Sequence, residues 1–159
     1  MNLIKIDTLS EAARIAFFEQ CHGDNLMVVS SGTYVLSELP GYVAIENDQI
    51  VAALTYHIKG HVLEIIFLDS LYENRGIGSM LMGKVLNIAR KTSVTEIKVI
   101  TTNDNIRAIR FYQKRGFRLH SIVHDAVDVA RQIKPSIPLY SENHIPIQDE
   151  LIFIMHVSS

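Results

Sequence analysis

Apolar residues along this chain recur with two periods, and each change of period marks an element. Thr8-Leu-Ser-Glu11 has the spacing of a capping box, and the run behind it predicts a helix through about Cys21. Leu26 to Val29 predicts a short strand. Ser30-Ser-Gly32 and Leu39-Pro-Gly41 predict turns. Tyr42 to Glu46 and Ile50 to His57 predict a hairpin joined by Asn47-Asp48-Gln49. After Lys59-Gly60 comes Val62 to Leu68, an apolar run expected to be a buried strand. Ser79 to Lys91 then shifts to helical spacing. Glu96 to Thr101 alternates, with Ile97, Val99 and Thr101 on one face. A helix is expected from near Asn105, capped by Asp104 or Asn103 and ended by Gly116. A strand from Phe117 to Val123, a short helix from Asp125 to Ile133, a loop bearing Pro135, Pro138 and Pro146, and a last strand from Leu151 to Val157 complete the chain. Helices interleaved with hairpin-linked strands predict a mixed sheet with helices on its faces.

The chemistry concentrates where the Val62–Leu68 strand passes through Leu71-Tyr-Glu-Asn-Arg-Gly-Ile-Gly-Ser79 into a helix. The first N–H groups of a helix have no partner within it, and the helix dipole makes that end positive, so a strand–turn–helix junction suits an anion. Gly76 and Gly78 remove the Cβ atoms that would hold a phosphate off the backbone. Three glycine motifs compete for this segment. The dinucleotide fingerprint lacks its third glycine, because Leu81 stands there. The phosphate loop runs from Gly78 to Gly83-Lys84 and then meets Val85 in place of the hydroxyl that would hold magnesium. The third, [QR]-x-x-G-x-[GA], reads Glu73-Asn-Arg-Gly76-Ile-Gly78, with Glu73 replacing the usual Gln or Arg.

That third pattern resembles motif A of the GNAT superfamily of N-acetyltransferases. About 30 residues later the chain resembles motif B of the same superfamily, N-x-x-A-x-x-x-Y-x-x-x-G-F, with Asn105, Ala108, Tyr112, Gly116 and Phe117 in register. Two motifs in the right order, with a strand between them, are far more specific than either alone. The resemblance spans roughly Val62 to Phe117. It implies an α/β (α+β) GNAT fold: a mixed, mostly antiparallel central sheet, splayed at the acetyl-CoA site, with helices on both faces. It also implies a single domain over residues 1–159.

By the same resemblance the chain moves an acetyl group from acetyl-CoA to a primary amine, by direct attack in a ternary complex. Backbone groups of Phe67 and Leu68 would hold the pantetheine and thioester. Donors over Arg75, Gly76, Ile77, Gly78 and Ser79 would hold the pyrophosphate, Asn105 would bond the pantetheine arm, and Tyr112 would protonate the departing thiolate. An N–H from Leu68 or its neighbour would steady the developing oxyanion. Glu64 is the candidate base, a carboxylate inside an apolar strand whose alternation puts Ile66 and Leu68 on its face. Counting from Gly76 sets it two residues nearer the loop than the base glutamate of several members. His57 and a water chain are the alternatives, and an exposed or arginine-paired Glu64 is the bland reading. The competing functional class is a non-catalytic acyl-CoA-binding or sensing domain of the same fold. Acceptor-side segments are expected at Ser30 to Pro40 and Pro135 to Pro146, bearing Tyr34, Glu38, Tyr140, Glu142 and His144. The resemblance implies a small-molecule or peptide amine as the acceptor, and its identity stays open.

Composition removes other classes. Net charge is −2, so no general attraction to nucleic acid or an anionic membrane is expected. No apolar run has the length of a membrane span, and the first residues lack a signal-peptide pattern. Cys21 is the only cysteine. It is expected to pack, and its solitude suits a reducing cytoplasm. His120 and His124 lie on an expected strand, and no metal site is expected. The apolar run Leu151-Ile-Phe-Ile-Met155 is open to two readings, a strand pairing across a homodimer or a core strand of the monomer.

Overall fold

The computed structural model describes residues 1–73 and 75–158. Its strands are β1 (Asn2–Lys5), β2 (Leu26–Val29), β3 (Gly32–Val35), β4 (Gly41–Glu46), β5 (Gln49–Lys59), β6 (Val62–Ser70), β7 (Glu96–Thr102), β8 (Arg118–Val123) and β9 (Glu150–His156). Its helices are α1 (Glu11–His22), α2 (Ile77–Lys91), α3 (Ile106–Lys114) and α4 (Ala126–Ile133). Seven strands form one sheet in the order β1-β4-β5-β6-β7-β9-β8, and β2 pairs with β3 separately. The pairs β1–β4, β4–β5, β5–β6 and β8–β9 are antiparallel. This is the mixed α/β architecture expected. No helix among the described residues is long and apolar enough to cross a membrane.

The chain clusters into two compact units. The first takes Met1–Met27, Tyr34–Ile97 and the final residues from Val157; the second takes Val28–Thr33 and Lys98–His156.

In the first unit, Asn47 and Asp48 both hold positive φ, 52° and 61°. That is the mirror-image turn whose twist matches two antiparallel strands, so it joins β4 to β5 in a tight hairpin. Gly41 opens β4 so close to β5 that an added Cβ would sit 2.0 Å from the Leu54 carbonyl oxygen. The core gathers Ile6, Phe17, Phe18, Leu36, Val43, Ala53, Ile66 and Phe67. Phe67 meets Phe17 and Phe18 edge-on, which seats α1 on the sheet face carrying Phe67 and its cross-strand partner Thr55. The Lys84 ammonium of α2 lies over the Tyr42 ring, and Tyr42 pairs with Leu54, so α2 covers the opposite face.

The amino end of α1 departs from expectation. Ser10, not Thr8, is the cap, accepting from the Ala13 N–H at 3.1 Å. Thr8 instead donates to the Lys5 carbonyl at 2.7 Å, closing a 3₁₀ turn over Ile6–Thr8. Both residues could cap, and the turn took one of them. β1 and β3 were not expected. Each is four residues long, too short to show a period.

In the second unit, β9 lies between β7 and β8, and Phe153 is buried. Of the two readings of Leu151 to Met155, the core strand is the one observed, and β8 is the edge at that end. The buried Glu150 carboxylate accepts from the Ser30 N–H through both oxygens, at 3.2 and 3.1 Å.

Two stability outcomes follow. Gly41→Ala forces Cβ into backbone, which no rotamer relieves, and urea unfolding should show a loss of about 3 kcal/mol. Ser10→Ala should cost about 1 kcal/mol, while Thr8→Ala, removing no cap, should cost less.

Candidate functional site

β6 carries an irregularity that sequence alternation did not reveal. Against β5, Thr55 pairs with Phe67 while Tyr56 pairs with Ile65, which leaves Ile66 as an extra, unpaired residue. A bulge of one residue reverses the facing of everything beyond it. Glu64 therefore does not share its face with Leu68, as expected; it lies with Phe67 and Asp69, the α1 side of the sheet. Glu64 stands directly across from His57, and its relative exposure is 8%. Side chains of such a pair have Cβ atoms about 5 Å apart. The two base candidates are therefore neighbours. The Tyr34 ring lies 5.7 Å from the His57 ring. Thr55, two residues before His57 on this face, has a buried hydroxyl without a hydrogen-bond partner among the described residues.

Beyond β6 the chain is pinned at Ser70. Its hydroxyl donates to the Tyr72 carbonyl at 2.9 Å and accepts from the Tyr72 N–H at 3.1 Å. Asn74, inside the glycine motif, lies outside the described residues. Gly76, the N-cap of α2, then takes φ +72°, a left-handed conformation costly for other residues, and has no side chain with which to cap the helix. A Cβ there would meet nothing within 4 Å. α2 thus begins at a residue with no side chain of its own and open space where one would project, and the positive end of a helix dipole there suits an anion. Ile77 is buried and anchors the turn. Arg75 pairs with Glu46 through both Nη atoms, at 3.3 and 2.8 Å, and its guanidinium lies 5.0 Å from the Tyr72 ring centre. Sequence reasoning missed Glu46 entirely; it lies 29 residues from Arg75, on the far side of a hairpin.

In the second unit, Asn105 is itself the cap of α3, where Asp104 or Asn103 was expected. Its Oδ1 accepts from the Ala108 N–H at 3.1 Å. Asp104 accepts instead from the Thr102 hydroxyl. Asn103 is spent on the loop before β9, accepting from the Gln148 and Asp149 N–H groups and donating to the Pro146 carbonyl. Asn105 keeps its amide N–H₂. Tyr112 is buried among Phe111, Phe117 and Phe153, with ring centres at 5.2, 5.3 and 6.5 Å. The loop expected on the acceptor side is held by Arg131, which donates to the carbonyls of Ile137, Pro138 and Ile147. Tyr140, Glu142 and His144 are exposed on that loop, and so is Glu38 in the first unit.

Thus the first unit brings together Glu64, Phe67 and Leu68 on β6 and Arg75 to Ser79 at the α2 junction. The second brings Asn105 and Tyr112 onto α3. No group of His, Cys, Asp and Glu side chains among the described residues could hold a metal.

The model of the Acetyltransferase (GNAT) family matches residues 7–117. This chain belongs to the GNAT acetyltransferase family. It is 46% identical over 155 residues to the uncharacterized protein YxbD of Bacillus subtilis (strain 168), covering 97% of this chain and 98% of that one. A GNAT family acetyltransferase from Elizabethkingia anophelis, solved with acetyl-CoA bound, has the same fold at TM-score 0.66 and 22% identity, covering 76% of this chain and 78% of its own. Arabidopsis thaliana Naa50, in complex with the bisubstrate analogue CoA-Ac-MVNAL, aligns at TM-score 0.56 and 25% identity over 72% of this chain and 70% of its own.

Cys21 is poorly suited to act as a nucleophile. Burial, with the Asp69 carboxylate adding to it, pushes its thiol up to about 11, so the reactive thiolate is scarce at neutral pH. Iodoacetamide at pH 7.5 should label Cys21 at least about tenfold more slowly in the folded chain than in urea; equal rates would show an exposed thiol.

Proposed function

We propose that this chain is an acetyl-CoA-dependent N-acetyltransferase, acting as one domain over residues 1–159 on a primary amine carried by a small molecule or a peptide. The observation that carries this reading is the amino end of α2, entered through left-handed Gly76, where an added Cβ would meet nothing within 4 Å. Open space where a Cβ would project, with converging N–H groups, fits a pyrophosphate. The acetyl-CoA and bisubstrate complexes of related folds support it, and the peptide part of the Naa50 analogue supports a peptide amine among the acceptors.

Bound acetyl-CoA supplies an activated acyl carbon. Backbone donors from Arg75 to Ser79 hold its pyrophosphate. Backbone groups of Phe67 and Leu68, beside the Ile66 bulge, hold the pantetheine and thioester. Asn105 reaches the pantetheine arm through its amide N–H₂, since its oxygen is occupied by the cap. The acceptor enters as an ammonium and must lose a proton before its nitrogen can attack. Glu64 takes that proton, directly or through water, with His57 facing it across the strands. Tyr112 gives a proton to the departing thiolate. Thiols and phenols titrate near ~8.5 and ~10, close enough for efficient transfer. The lone cysteine suits a cytoplasmic setting.

Isothermal titration with acetyl-CoA, with ATP–magnesium in parallel, is the first test. Micromolar acetyl-CoA binding without an ATP response is expected; no acetyl-CoA binding would overturn the reading. Tyr112→Phe should keep acetyl-CoA affinity and lower turnover of any accepted amine by about 100-fold or more. Unchanged turnover would remove Tyr112 from the mechanism.

A further inference from the structure

Arg75 sits beside Gly76 at the proposed donor site, and its guanidinium is fixed from two sides. Glu46 takes its end-on edge through Nη1 and Nη2, and the Tyr72 ring lies against it. Among the described residues no other group accepts a hydrogen from Arg75. A guanidinium has five N–H donors in a rigid plane, so an end-on fork leaves the Nε edge with its own parallel pair of donors. The Arg75 side chain is 44% exposed and that of Glu46 25%, so the held end is the more enclosed. An exposed ion pair of this kind contributes little to stability. Its geometric effect is larger: it turns a flexible arginine into one with a set orientation.

We infer that Glu46 is a positioning residue for the acyl donor, holding Arg75 so that its open Nε edge faces the pyrophosphate. The inference rests on the acetyl-CoA reading above. Glu46 does not touch the donor; it acts through Arg75. Glu73, in the motif position where Gln or Arg is usual, need not supply that contact, because Arg75 with Glu46 behind it provides an oriented cation two residues on. Glu46 ends β4, one residue before a turn whose Asn47 and Asp48 are both left-handed, so its backbone is set by the hairpin rather than by the loop it serves.

The alternative is that Glu46 competes with the donor for Arg75, and acetyl-CoA titration separates the two. Positioning predicts that isosteric Glu46→Gln weakens acetyl-CoA binding by about three- to tenfold, and that Glu46→Asp, which keeps the charged fork, recovers most of the loss. In an Arg75→Gln background, Glu46→Gln should change the affinity by less than about twofold, since its effect passes through Arg75. Glu46→Gln binding as tightly as the parent chain or tighter, or losing the same affinity with and without Arg75, would overturn the inference while the donor reading stands. No binding by the parent chain would overturn both. Both substitutions lie at the surface, and a thermal melt within a few degrees of the parent shows that a lost affinity is not a lost fold.

Discussion

A single unpaired residue sets the layout of the first unit. Hydrogen bonding between β5 and β6 allows each residue one partner, and Ile66 has none. Because side chains alternate along a strand, that surplus residue puts Phe67 on the α1 side and Leu68 on the other. Phe67 is then free to receive Phe17 and Phe18, which seats α1. The same slip leaves Glu64 on that face of the sheet, opposite His57. Had the pairing run unbroken, either Phe67 or Glu64 would point into the layer covered by α2. The helix contact and the polar pair are compatible only because the strand carries one residue too many between them.

Much of this was readable before any coordinates. Long elements with a clean period, such as the helix from Ile77 to Lys91 and the strand from Glu96 to Thr102, agree with expectation to within two residues. Asn47-Asp48 marked a turn because those two residue types tolerate positive φ. Both glycine-bearing motifs lie where strand, turn and helix were expected. The failures share a cause. Which of Thr8 or Ser10 caps α1, and which of Asn103, Asp104 or Asn105 caps α3, depends on competing local hydrogen bonds that differ by little. The facing of Glu64 depends on a bulge, and a bulge has no residue signature when every residue around it is apolar. Glu46 was invisible for another reason: nothing in a glutamate at the end of a strand says that it will meet an arginine 29 positions later.

The polar groups of the candidate site are set by neighbours whose own positions are rigid. Asn105 is held by the first turn of the helix it caps. Tyr112 is held by three aromatic rings. Arg75 is held by the end of a hairpin. In each case a side chain with several rotamers is restricted by contacts that need not touch a substrate, so its entropy is lost at folding rather than at binding.

Glu150 has a consequence for how this chain can be divided. It is 1% exposed, and its carboxylate is satisfied by a backbone N–H from Ser30, 120 positions earlier. The second unit is therefore not a contiguous stretch: it borrows six residues from the amino-terminal third. A fragment begun at Lys98 would lack the Val28–Thr33 segment and the first two residues of β7, and the Glu150 carboxylate would lose the Ser30 donor that satisfies it. The two halves of the sequence are thus not interchangeable parts. Recombination between relatives would have to carry the Val28–Thr33 turn along with the strand that begins at Glu150, as a matched pair whose contacting residues lie 120 positions apart.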